Sequence, residues 1–334
     1  MKRFILFATL LIHVSTHASS EEVLGGHEGW LDRMGAGIRE LGRGNTGSAL
    51  EDAAPAAYWN PALLGFSRRT QLGFGTDMRT ADRVGGFLSI QGRAAGNLGM
   101  GLGIVHRGDF GITAYDADER ELDRVYPQAI ASYLGLGLRT SRHNAFGISV
   151  GWYSNYLKIG DGIGDVNVIG MINLGWYRRF GQHWRAAVVV RNLGIDPDLN
   201  AGFDQITLGD ETAGGFERTS SDFWPKTLVL AGTYLDSLYG RPVEVALEFI
   251  DYQLKPSLYV LDANFHAQRL RVGVEYEAWP KFLVRGGMDG LNASLGLGYA
   301  FRWRKRPLRF DYALTLERET LQFNPLAVSL RYDF

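Results

Sequence analysis

The histidines, two acidic clusters and one basic aromatic run are the places in this 334-residue chain where side chains could do chemistry. Beyond residue 20 the histidines are His27, His106, His143, His183 and His266, and no two stand at the spacing of a metal pair. His143 and His183 fall in short polar stretches that read as turns, where a solvated imidazole is ordinary. There is no G-x-S-x-G elbow to present a serine nucleophile. The chain has no cysteine, which excludes disulfides, thiolate metal ligands and thiol nucleophiles. Asp116, Asp118 and Glu119 form one acidic group and Asp161 with Asp165 another, but neither run supplies a full calcium set at loop spacing. Solvated loop tips account for both. Trp303, Arg304, Lys305 and Arg306 cluster at a turn, where snorkelling to phosphate headgroups explains them without any partner. No catalytic residue, metal or cofactor is expected, and the chain reads as non-enzymatic.

A second set of charges is ordered by alternation. In 325–334, PLAVSLRYDF, the residues Leu326, Val328, Leu330, Tyr332 and Phe334 share one face, while Ala327, Ser329, Arg331 and Asp333 share the other. Only a strand produces that period of two. The same pattern sets Glu244 and Glu248 against Val243, Val245, Leu247 and Phe249. It sets Arg269, Arg271, Glu275 and Glu277 against Leu270, Val272, Val274 and Tyr276. It also sets Arg309, Asp311 and Glu317 against Leu308, Phe310, Tyr312, Leu314 and Leu316. An Arg or Lys at the bilayer midplane of a barrel's lipid face costs about 2–4 kcal/mol, so this segregation suits a membrane barrel with apolar residues outward. Glu244, Glu248, Arg271, Glu275, Arg309, Asp311 and Arg331 are then lumen-facing. They either line a polar pathway or pair into a structural network, and pairing is favoured because buried charges need partners.

The elements that would position these residues follow from composition. Residues 1–20 carry Lys2 and Arg3, an apolar run and then small residues, the pattern of a secretory signal peptide. Without Lys2 and Arg3, 33 basic residues face 36 acidic ones, a balance that gives no reason to expect nucleic acid. No run of about 18 apolar residues follows, so helical spans are not expected. The 43 Gly, 18 Phe, 15 Tyr and 8 Trp suit many strands with aromatic girdles. Residues 21–66 lack alternation; a helical turn interrupted by Pro55 is expected in 48–57, and a sharp turn at Tyr58, Trp59, Asn60, Pro61 and Ala62. From 67 to 334 about fourteen strands follow, near 68–77, 83–92, 97–106, 128–139, 144–155, 167–180, 184–193, 226–236, 242–251, 268–279, 281–289, 293–303, 308–317 and 326–334. Each is close to the ~9–11 residues that a tilted strand needs to cross a bilayer. The connections sort by parity. The long ones, near 107–127, 156–166, 194–225, 252–267 and 318–325, all fall in the odd set, which in a barrel with periplasmic termini is extracellular.

These residues resemble a known group. GAGIRELGRGNTGSALEDAAPAAYWNPALLG, at 35–65, is similar to the N-terminal signature of FadL-like outer-membrane proteins and of their PorV/PorQ branch: a Gly-rich run (35–47), an acidic-Ala patch (51–54) and an aromatic-Asn-Pro-Ala turn (58–62). VVVRNLG at 188–194, EYEAWPKFLVRGGM at 275–288 and the closing strand extend the resemblance, although Leu63 and Leu64 stand where relatives more often have Gly. The resemblance implies an all-β, fourteen-stranded transmembrane barrel whose N-terminal segment folds into the lumen as a hatch. It implies either passage of hydrophobic small molecules through a gated lumen or a PorV-like accessory barrel binding exported proteins of a type IX secretion system. A structural barrel of unassigned role is the third alternative. It also implies Tyr332 and Phe334 as a membrane-insertion signal read by the barrel-assembly machinery, outer-membrane lipid as surroundings, and a monomer in the outer membrane of a Gram-negative-type bacterium. The protein is expected to fractionate with outer membranes and to run as a faster band on unboiled detergent gels; release with soluble periplasm and no heat shift would refute the barrel.

Overall fold

The computed structural model describes residues 34–79, 83–115, 121–159, 162–193, 207–208, 211–212, 225–254, 265–318 and 322–334. The expected signal peptide, His27, the acidic group at 116–119, Asp161 and nearly all of the 194–225 connection lie outside the described residues. Among the described residues seventeen strands run in the order β1 (Gln71–Met78), β2 (Arg83–Ala95), β3 (Leu98–Asp109), β4 (Ile112–Tyr115), β5 (Glu121–Arg139), β6 (Asn144–Ile159), β7 (Gly162–Phe180) and β8 (Trp184–Leu193). They continue as β9 (Thr207–Leu208), β10 (Glu211–Thr212), β11 (Lys226–Leu238), β12 (Arg241–Leu254), β13 (Phe265–Trp279), β14 (Phe282–Asp289), β15 (Asn292–Trp303), β16 (Arg306–Glu317) and β17 (Gln322–Asp333). The pair β9–β10 is a separate two-stranded ribbon, and β4 pairs with the first residues of β5. The other fourteen make one antiparallel ring, closed where β1 pairs with β17 on one side and β2 on the other. All fourteen expected strands are present.

Alternation decides which side chains face where. Phe74, Leu88, Ile90, Met100, Leu136, Leu138, Leu297 and Phe310 are exposed on the outer surface, while their neighbours Ser89, Gln91, Asp311 and Ser329 are buried inside. Soluble monomers rarely expose contiguous apolar area on this scale, and a ring of it around a closed sheet is the lipid-facing wall of a transmembrane barrel. Among the described residues no helix is long and apolar enough to cross a membrane. At one end the strands join through short connections, 96–97, 140–143, 181–183, 239–240, 280–281 and 304–305. Exposed aromatics mark that end: Phe180, Trp184, Tyr239, Trp279, Trp303 and Phe334. Tyr332 packs between two of them, its ring centroid 4.8 Å from Phe334 and 6.1 Å from Trp303.

Three expectations are corrected. The 318–325 connection is not long, since β17 begins at Gln322 opposite Glu317 of β16. The 156–166 region is not a long loop: β6 and β7 stay in register out to Ile159 opposite Gly162. Hydrogen-bonded pairing continues past the last lipid-facing residue, because the ladder needs backbone partners and not apolar side chains. The helical turn expected within 48–57 lies instead at α2 (Ala56–Trp59), just after Pro55. Proline has no N–H to lose there and its ring presets φ for a helix start, so it precedes the turn rather than interrupting it. A further helical turn, α1, spans Ile38–Leu41.

Leu297 lies midway along β15, between Val284 and Tyr312 on the outer face. Leu297→Arg should lower the unfolding free energy by about 2–4 kcal/mol. Denaturant unfolding in lipid vesicles would show this, and an unchanged midpoint would place the residue away from lipid.

Candidate functional site

A ring of fourteen strands encloses a lumen too wide for wall side chains alone to fill. Here the chain fills it with residues 34–66, nearly all buried. The wall makes room by placing glycine on inward positions. A Cβ on Gly99 would sit 1.9 Å from the Leu64 carbonyl oxygen, one on Gly137 2.5 Å from the Gly65 nitrogen, and one on Gly147 2.3 Å from the Ala62 nitrogen. The 3₁₀ turn Pro61–Phe66 therefore lies directly against the backbones of β3, β5 and β6. On the opposite side, Gly273 and Gly287 admit Arg43, their added Cβ atoms falling 2.2 Å and 2.4 Å from its backbone. Leu63 and Leu64, which depart from the relatives' pattern, are fully buried in this contact.

The sharp turn at 58–62 forms the plug's core. Trp59 is fully buried and donates through Nε1 to the Ala36 carbonyl at 2.9 Å. Tyr58 meets Trp59 and the wall residue Tyr133 edge-on, with centroids 4.9 Å and 5.4 Å apart. The Arg191 guanidinium lies 4.8 Å from the Tyr58 ring centroid and donates to the Trp59 carbonyl at 3.0 Å. Asn60 binds in three directions: Oδ1 accepts from the Ala62 N–H at 3.0 Å, and Nδ2 donates to the Ser48 carbonyl at 2.9 Å and to Trp176 of the wall at 3.3 Å. With Pro61 supplying the first residue of the 3₁₀ turn, the side chain of Asn60 caps that turn.

The seven inward charges all meet partners, most of them in the plug. Glu275 receives Arg39 through two hydrogen bonds, 2.9 Å and 2.7 Å, and Arg285 through a third. Arg285 also reaches Asp311 at 2.7 Å. Arg309 and Arg331 converge with Arg39 on Asp52, at 3.4 Å and 3.2 Å for the two wall arginines. Glu248 accepts the backbone N–H groups of Gly47 and Ser48 at 2.7 Å and 2.6 Å. Glu244 pairs with Arg43 at 3.0 Å. Arg271 donates to Asp289 at 2.8 Å, and Asn45 donates to the other oxygen of Asp289 at 2.7 Å. Outside this group, Glu51 binds Arg179 and Tyr177 of β7, and Arg107 joins Asp77 to the Gly35 carbonyl. Burial alone would raise the Asp52 carboxyl, but Arg39, Arg331 and Arg309 hold it well below the usual range. Sequence reasoning missed Arg285 and Asp289, which the alternation of Val284 and Met288 could have marked as inward. It also missed Arg39, Arg43, Asn45 and Asp52, which sit in a segment with no period to read.

One rung beyond Glu248 the wall changes character. Ile250 follows Glu248 on the inner face of β12, opposite Val229, which in turn pairs with Val189. Tyr252 follows, opposite Ala267 of β13. These five make a buried apolar cluster on the lumen wall next to the plug. The histidines stand apart from it and from each other: His106 bonds Gln128, His183 bonds the Leu235 carbonyl, His266 bonds Asp251, and His143 is exposed in a turn. Among the described residues no group of three or more His, Cys, Asp or Glu could hold a metal ion.

Glu40, on α1, is the exception to the pairing. It is 2 % exposed, and its carboxylate contacts the Ala54 N–H at 3.4 Å. Burial pushes this carboxyl up to about 7, opposed by Arg39 and Arg331 and reinforced by Asp311. A folded-state value above the ordinary one means that seating of the plug is strongest at low pH and weakens as the pH rises from about 4.5 to about 7. Glu40→Gln should abolish that dependence and protect the plug at pH 8. Rates of trypsin cleavage at Arg39 and Arg43 across this range would test it; equal pH dependence in both proteins would contradict the assignment.

No protein-family model matches the chain, and no curated protein matches it in sequence. Solved structures do match in fold. The CymD monoaromatic hydrocarbon channel is 14 % identical with a TM-score of 0.61, the match covering 90 % of this chain and 97 % of that one. The toluene transporter TodX of Pseudomonas putida is 13 % identical with a TM-score of 0.56, covering 90 % and 98 %. The toluene transporter TbuX of Ralstonia pickettii is 14 % identical with a TM-score of 0.55, covering 90 % and 98 %. The protein therefore shares the fold of these three channels, and with its lipid-facing wall it is an integral barrel of the outer-membrane type.

Proposed function

We propose that the protein passes hydrophobic small molecules across the outer membrane through a lumen gated by residues 34–66. The observation that carries this reading is the apolar cluster of Val189, Val229, Ile250, Tyr252 and Ala267, one rung beyond the plug contact made by Glu248. All five are at most 4 % exposed, so the cluster becomes an apolar contact for a ligand that leaves water only when the lumen opens. The fold is shared with channels described as carrying toluene and monoaromatic hydrocarbons, which supports small apolar cargo. No enzymatic step is required of any residue. The plug is the gate on this reading: its ion pairs and backbone hydrogen bonds can exchange for water, whereas Tyr58, Trp59, Leu63 and Leu64 are buried against the wall, so opening moves the charged part of the plug and leaves that apolar anchor seated.

A second reading follows from the resemblance of 35–62 to the PorV/PorQ branch. The many pins on the plug, at Asp52, Glu51, Glu248 and Glu275, favour a permanently closed barrel whose work is done at its surface, by binding exported proteins. Uptake of labelled toluene and of a labelled long-chain fatty acid by cells with and without the gene separates the two. Gene-dependent uptake that falls severalfold in Ile250→Asp supports passage. Equal uptake in all strains, with loss of surface-exposed exported proteins in the deletion, supports the accessory role instead.

A further inference from the structure

The short-turn end of the barrel carries a belt of cations that neither the plug nor the lumen uses. Arg142, Arg178, Arg241, Lys281, Arg304 and Lys305 are spread over its turns and the strand ends beside them, from the β5–β6 connection to the β15–β16 connection. None of these six side chains forms an ion pair among the described residues. The chain as a whole is nearly balanced, 35 basic against 36 acidic residues, so this end has gathered positive charge while acidic residues crowd the long connections. The carboxylates at the short-turn rim are few, and two of them are engaged: Glu277 accepts the Lys281 backbone N–H, and Asp236 accepts from Tyr234 and the Ser237 N–H.

Two further observations set this belt apart from an ordinary solvated rim. The first is backbone conformation. Trp303 pairs with Arg306, so Arg304 and Lys305 form a two-residue hairpin turn, and their φ angles of 48° and 68° are both left-handed. That turn favours Asn-Gly, because other side chains are strained at positive φ. Lys281 is also left-handed, at 73°. Folding alone would select other residues at these three positions. The second observation is depth. The Arg178 guanidinium lies 5.0 Å from the Phe180 ring centroid, and that of Arg304 5.0 Å from the Trp303 centroid. Both rings belong to the exposed aromatic girdle, and an arginine stacked on a girdle aromatic is held where lipid phosphates lie.

We propose that the short-turn rim is a docking belt for anionic phospholipid headgroups, which seat the barrel in the leaflet that these turns meet. Guanidinium and ammonium groups held at the girdle donate to headgroup phosphates, and the net negative charge of the leaflet adds an attraction that salt screens. This surface is separate from the lumen, and the proposal stands whatever the barrel passes.

The test compares the protein in phosphatidylcholine vesicles with and without phosphatidylglycerol, reading the midpoint temperature of the heat-modifiable gel shift. The wild type should gain a few degrees with phosphatidylglycerol at low salt and lose that gain at high salt. The variant Lys281→Gly, Arg304→Asn, Lys305→Gly removes three cations while supplying residues that left-handed turns prefer. Its midpoint in neutral vesicles should match or exceed that of the wild type, and its gain with phosphatidylglycerol should fall by half or more. A full gain in this variant overturns the proposal. An equal gain from soluble polyphosphate in neutral vesicles also overturns it, because the rim would then be a general polyanion site. If the triple variant fails to fold, Arg142→Gln with Arg178→Gln, which leaves those three positions untouched, must show the same loss of gain.

Discussion

The close approach of residues 34–66 to the barrel wall is the constraint on which the rest of this structure depends. A fourteen-stranded ring leaves more space than its own side chains can occupy, and water-filled space would leave the inward residues hydrated and the barrel open. The chain closes that space with backbone. Gly99, Gly137 and Gly147 receive the 3₁₀ turn on one side, and Gly273 and Gly287 receive Arg43 on the other, at distances where any Cβ would collide. Leu and Gly alternate along β3 and β5 for this reason: the leucines face lipid and the glycines face the plug.

Charge then decides how firmly the plug is held and how it could let go. Asp52 carries one negative charge among three arginines, Glu275 another between two, and the backbone of 47–48 is bound by Glu248. A buried ion pair contributes little net stability relative to an apolar replacement, but breaking one is costly when the partner stays buried. Such contacts therefore specify one seating of the plug and resist partial displacement. Concerted displacement would hydrate every charged partner together, but it would also expose Trp59, Leu63 and Leu64, which are fully buried against the wall. Glu40, lacking such a partner, is the weak point of the seated state. Next to this polar lock stands the buried apolar cluster of Val189, Val229, Ile250, Tyr252 and Ala267.

The fold was legible because a membrane wall imposes one rule on every strand. Apolar residues must face lipid at every second position, and 308–317 and 325–334 display this with almost no exceptions. Loop parity was legible in part: connections at the short-turn end are tight throughout, whereas 156–166 looked like a loop and is paired strand, because alternation stops where lipid stops while hydrogen bonding does not. In the site, the inward faces of Glu244, Glu248, Arg271, Glu275, Arg309, Asp311 and Arg331 could be read from period alone. So could a sharp turn at 58–62, from the restriction Pro61 places on Asn60.

What the sequence by itself determined, then, was the strands, their two faces, their number and the aromatic and basic residues that mark the membrane boundary. These depend on neighbours two positions away, or on a solvent that is the same for every strand. The partners of the inward charges were decided only in three dimensions. Arg39 meets Glu275 across 236 positions and Asn45 meets Asp289 across 244, and nothing local in 34–66 signals either contact. The plug lacks a period because it faces wall on every side, so its pattern records the shape of the lumen and not a boundary between lipid and water.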